Sequence, residues 1–192
     1  ASGQTSALAL HPSLPRARPP PRRPSEKGWI GQGVDAELAP LLALGQAPAL
    51  ADVSQALLPA LDCWRENRRA ATAALSSLAR RRRPLLAARV LECMQQAQLV
   101  TNVIHFNAAL SACEKGRRWD LALALLGSMP KLRVSPDVIS CNSAISACEK
   151  AARWQCALLL LGAMACFCAV PDVISCSGAI SACEKAGQWQ LA

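Results

Sequence analysis

The word Ser-Ala-Cys-Glu-Lys begins at Ser111, again at Ser146 and again at Ser181, a constant interval of 35 residues. One identical word at a fixed interval marks a tandem repeat, and this limits the fold more than length or composition does. A unit of that size encodes one helical hairpin, which cannot bury its apolar face alone and must stack on its neighbours. The expected fold is therefore all-α, a solenoid of stacked antiparallel helical hairpins. Function then turns on what lines the repeated surface.

Val103 is the best first position of the unit. Repeat one is then 103–137, repeat two 138–172, and a truncated repeat three occupies 173–192. Phe106, Ala109, Leu110 and Cys113 fall at i, i+3, i+4 and i+7, one face of a first helix. Trp119, Ala122, Leu123, Leu126 and Met129 continue that spacing on a second helix, and Gly116 punctuates the chain between them. Repeat two follows the same plan, with Cys141, Ala144, Ile145 and Cys148, then Trp154, Ala157, Leu158, Leu161 and Met164. Asp137, after Pro136, is placed to cap the next helix. One period earlier, Met94 aligns with Met129, Leu75 with Leu110 and Arg80 with Lys115, so 68–102 reads as a degenerate repeat. Apolar stretches between 31 and 67 predict a helical N-terminal cap.

Charge and cysteine content carry less information than their totals suggest. Net charge is +8, yet residues 103–192 hold eight Lys/Arg against six Asp/Glu, so the repeats are nearly neutral. Residues 1–30 form a basic leader, with six prolines between Pro12 and Pro24 and no acid before Glu26. Arg-rich, acid-poor leaders are typical of organellar transit peptides, and a disordered basic linker is the alternative. A start without Met and an end a few residues into a helix read as marks of a fragment. Ten cysteines suggest a disulfide framework until they are placed in register: Cys113, Cys148 and Cys183 share one repeat position, Cys141 and Cys176 another. Repeat-locked cysteines are expected to be small buried apolar residues. Cys166 and Cys168 make a lone Cys-x-Cys without a second ligand pair, so no metal or other cofactor is expected. The uncharged run from Cys156 to Val170 is too short for the ~20 residues of a membrane span.

A period of 35, a Val-Ile-x-x-Asn start and a Pro-Asp end together resemble the pentatricopeptide repeats of the plain type. The resemblance covers 103–192 well and 68–102 loosely. In two respects the chain departs from it: the usual aromatic at position four is kept as Phe106 but becomes Cys141 and Cys176, and the usual aliphatic opening the second helix is Trp119, Trp154 and Trp189. The family resemblance implies a right-handed superhelix whose first helices line a concave channel for single-stranded RNA, with about one base read per repeat. It further implies that the fifth and last residues of a repeat meet the base edge and the second packs on its face. Those residues are Asn107 with Asp137, Asn142 with Asp172, Ser177 in the third repeat, and Thr72 with Asn102 in the degenerate one; Ile104, Ile139 and Ile174 would pack against bases. An Asn and Asp pair is associated with uridine in the family, a Thr and Asn pair with adenine.

The residues point the same way independently. Ile104, Asn107, Ser111 and Glu114 share the helix face opposite the apolar stripe. An Asn amide offers two donors and one acceptor, which suits a pyrimidine edge. Lys115, Lys150 and Lys185, with Arg80 in register, either form a ladder facing phosphates or balance the helix C-terminal dipole and the preceding Glu114, Glu149 and Glu184. Neither His11 nor His105 sits in a nucleophile or acid/base constellation, so no catalysis, small-molecule substrate or membrane partner is expected. The leading expectation is sequence-selective RNA binding in an organelle, a plastid in preference to a mitochondrion, serving transcript processing, stability or translation. A protein-binding scaffold of the tetratricopeptide kind is the alternative.

Overall fold

The computed structural model describes residues 38–45, 48–188 and 190. Those residues form helices and turns without strands. A short helix α1 (38–43) precedes α2 (Leu50–Glu66), and three hairpins follow: α3 (Arg68–Arg80) with α4 (Pro84–Gln96), α5 (Val103–Lys115) with α6 (Trp119–Ser128), and α7 (Val138–Lys150) with α8 (Trp154–Ala163). Helix α9 (Val173–Lys185) opens a fourth. The basic leader and Trp189 lie outside the described residues.

Stacking follows from residue size. The first helices α3, α5, α7 and α9 pack directly on one another, while α4, α6 and α8 each wedge between their own first helix and the next. Small buried residues (Ala109, Ala112, Cys113, Ala144, Ala147, Cys148) let the first helices approach closely. The second helices touch one another much less. Phe106, Leu110, Leu75, Met94, Met129 and Met164 are buried at the seams. Each such side chain contributes about 1.5–3 kcal/mol by leaving water. The assembly is an α-solenoid.

Each first helix is started by the same device. Asp137 accepts the Ser140 N–H and Ser140 Oγ accepts the Asp137 N–H, a reciprocal cap on α7. Asp172 and Ser175 repeat it on α9, and Asn102 with His105 on α5. The turns also repeat, in a way the glycine pattern does not reveal. Arg82, Arg117, Ala152 and Gly187 all have positive φ, one per repeat at the same position; Gln98, Arg133 and Cys168 form a second such series. Gly116 is not the left-handed residue: its φ is −85°. It is small for another reason, because a Cβ there would meet Pro84 Cγ at 2.6 Å.

Three expectations about the core need correction. Trp119 and Trp154 are half-buried instead of core residues, and the Arg153 guanidinium lies over the Trp119 ring, 4.9 Å from its centroid. In α8, Leu160 is buried and Leu161 only half-buried. Of the repeat-locked cysteines, Cys113, Cys141, Cys148 and Cys183 are buried but Cys176 is exposed, because no described helix covers that side of α9. Burial pushes the Cys113 and Cys148 thiols up to about 12 and Cys141 up to about 11, which leaves them inert. Among the described residues no cluster of ligating side chains could hold a metal, and no helix is long and apolar enough to cross a membrane.

Candidate nucleic-acid interface

Stacking the first helices in phase brings residues 30 apart in sequence into contact. Asn107 Nδ2 donates to both carboxylate oxygens of Asp137, at 3.2 Å each. Asn142 does the same to Asp172, at 3.1 and 3.2 Å. The fifth residue of one repeat is thus joined to the last, which itself caps the following helix. A third residue completes each group: Ser140 Oγ donates to Asn107 Oδ1 at 2.5 Å, and Ser175 Oγ to Asn142 Oδ1 at the same distance. Sequence reasoning missed these serines, whose one visible signal is the Asp-x-x-Ser capping spacing. Hydrogen bonds from Ser175, foremost from its backbone N–H, hold the Asp172 carboxyl below the usual carboxylate range, so it is an acceptor at neutral pH.

The degenerate hairpin lacks this group. Thr72 Oγ1 donates to the Arg68 carbonyl at 3.3 Å, and the Asn102 side chain is committed to the α5 cap, accepting from the His105 N–H at 3.1 Å. His105, buried where the later repeats carry serine, accepts the Asn102 N–H on Nδ1. Ala71 occupies the place of Phe106, beside a cleft of about 340 Å³ lined by Trp64, Arg68, Met94 and His105. Ser177, the fifth residue of the third repeat, is exposed.

Ile104, Ile139 and Ile174 stand next to these groups and are 55%, 62% and 67% exposed. Three large aliphatics at one repeat position, all in solvent, form an apolar track beside the polar one.

The lysine ladder is arranged differently from either expectation. Lys150 Nζ bonds Glu114 Oε1 at 2.6 Å, and Lys185 bonds Glu149 at 2.6 Å, so each lysine pairs with the glutamate of the preceding repeat and not with its sequence neighbour. Ser146 and Ser181 add hydroxyl bonds to the same glutamates. Lys115 is exposed and forms no such pair, since Ala79 stands where its glutamate would be. Arg80 is exposed as well. A phosphate ladder of four cations is therefore reduced to two free positions.

A family model of the pentatricopeptide repeat domain matches residues 72–151, from the second turn of α3 to just past the end of α7. Residues 72–151 are therefore similar to pentatricopeptide repeats. The match takes in the degenerate hairpin, in keeping with the left-handed turn residues that hairpin shares with the others. The comparison with curated proteins finds no match. That family suggests RNA as a partner class.

Proposed function

We propose that the first-helix layer binds single-stranded RNA sequence-selectively, one base per repeat, with Asn107/Asp137 and Asn142/Asp172 favouring uridine. What carries this reading is the joined Asn and Asp pair beside an exposed isoleucine, present twice at the repeat spacing. One N–H of each amide is spent on the carboxylate. The other remains as a donor, and the outer carboxylate oxygen remains as an acceptor. Uracil presents acceptor, donor, acceptor along its edge, so a donor beside an acceptor meets it in either order. Cytosine and adenine place an amino group there and match in one order only. Ile104, Ile139 and Ile174 would press on base faces, and Thr72/Asn102 and Ser177 would take flanking bases. The proposed role is binding without turnover, in transcript processing, stability or translation inside an organelle, a plastid in preference to a mitochondrion.

Magnitudes set the expected strength. Contacts worth about 1–3 kcal/mol per base give two complete repeats roughly 2–6 kcal/mol, and a millimolar complex needs about 4. The near-neutral repeats favour a second reading, a scaffold for protein segments, because Lys150 and Lys185 are already paired. Binding of short oligouridine and oligoadenosine strands across a salt series separates the two. RNA reading predicts preference for uridine and a shallow logarithmic salt slope of about −1.4, from two free cations at ~0.7 each. Equal, barely detectable binding of both strands would favour the scaffold.

A further inference from the structure

We infer that Ser140 and Ser175, the third residues of the second and third repeats, are specificity-determining residues that lock the reading amides in one orientation; this rests on the RNA reading above. An Asn amide can be placed two ways about its last bond, exchanging a donor for an acceptor at the point where a base arrives. Asp137 holds the nitrogen side of Asn107 and by itself disfavours reversal. The oxygen side is held by Ser140, whose hydroxyl lies 2.5 Å from Asn107 Oδ1 and 2.8 Å from Asp137 Oδ1. Reversing the amide would set Oδ1 against the carboxylate and Nδ2 against a hydroxyl that the Asp137 N–H already approaches at 3.3 Å.

The serine therefore does two things at once. It fixes the free N–H as the group offered to the base, and it occupies the amide oxygen that would otherwise accept an amino group. Cytosine and adenine carry an amino group on the edge being read, and uracil does not. With that oxygen masked, the outer carboxylate oxygen is the acceptor left at the pair, so an amino-bearing base fits in one order and uracil in either. Ser175 is placed alike, its one hydroxyl proton shared between Asn142 Oδ1 at 2.5 Å and Asp172 Oδ1 at 2.9 Å. In the degenerate repeat the corresponding residue is His105, and neither it nor Asn102 bonds Thr72. The lock belongs to the two Asn/Asp pairs alone.

The test is an NMR titration of the full chain, following the Asn107 and Asn142 side-chain amide signals, with short RNA strands of uridine and of cytidine. Ser140→Ala is expected to lower the uridine-over-cytidine ratio by roughly fivefold, as loss of one hydrogen bond allows, with cytidine binding rising. Ser140→Thr, which keeps the hydroxyl, is expected to retain the ratio. A purely structural loss of the cap would weaken both strands alike and leave the ratio unchanged, and that result overturns the inference while the RNA reading stands. Ser175→Ala repeats the test at the other pair should Ser140→Ala unfold. Wild-type chain that binds uridine and cytidine equally sinks the RNA reading, and the inference with it.

Discussion

Ser140 and Ser175 reach partners one repeat away, and His105 joins a local partner to a distant one. His105 is the clearest case of a single residue tied to its surroundings. Nδ1 accepts the Asn102 N–H at 3.2 Å and Nε2 lies 3.5 Å from the Arg68 carbonyl, which suits a neutral ring with its proton on Nε2. Burial, chiefly, lowers its pKa from the ordinary value near 6.5. The folded state then binds fewer protons than the unfolded one just below that value. The stability this residue contributes is complete above about pH 6.5 and is lost as pH falls through the window beneath it. Thermal melts between pH 8 and 5 should show the wild-type midpoint dropping below pH 6.5, with a flatter profile for His105→Gln. Parallel profiles for the two proteins would show that the imidazole is not the titrating group.

At the scale of helices and turns, the repeat is specified by its joints as much as by its faces. Ala152 sits at φ 54°, in the series whose last member is Gly187. A left-handed backbone costs a residue with a Cβ about 1–2 kcal/mol, and the added freedom of glycine in the unfolded chain offsets about 0.4–1 of that. Ala152→Gly should therefore stabilise the chain by roughly 0.5–1 kcal/mol, read as a higher denaturant midpoint with an unchanged slope. A lower midpoint would mean the turn is not held in this conformation. Arg117, in the same series, spends its side chain differently: its guanidinium donates to the Lys150 carbonyl at 2.6 and 2.9 Å, tying one turn to the end of α7. Replacing it would mix backbone relief with loss of that tie, which makes Ala152 the cleaner site.

Over the whole molecule, the features legible in the sequence are those that depend on neighbours close along the chain. Helix faces, capping Asp137 and the 35-residue period all follow from local spacing. Depth of burial does not: the spacing places Trp119 and Trp154 on the right face, but each lies at its margin, where Trp119 meets Arg153. The partner of Lys150 is equally hidden. Glu149 is adjacent in sequence but projects from a different side of the helix, and stacking delivers Glu114 instead. Ser140 was passed over in the sequence, and its bond to Asn107 exists only once α5 and α7 lie side by side. The family resemblance therefore pointed to the fifth and last residues, and only the stacking of repeats shows that they are joined.

The central claim is that the joined fifth and last residues choose the base. It is tested most directly by converting one pair into the other kind found in this chain, Asn107→Thr together with Asp137→Asn. Asn102 shows that Asn serves as a cap at that position, so α7 should still form. Equilibrium binding to strands varied at a single nucleotide should then shift from uridine to adenosine at one position, with the preference governed by Asn142 and Asp172 unchanged. An altered protein that folds and keeps its uridine preference at every position would contradict the account.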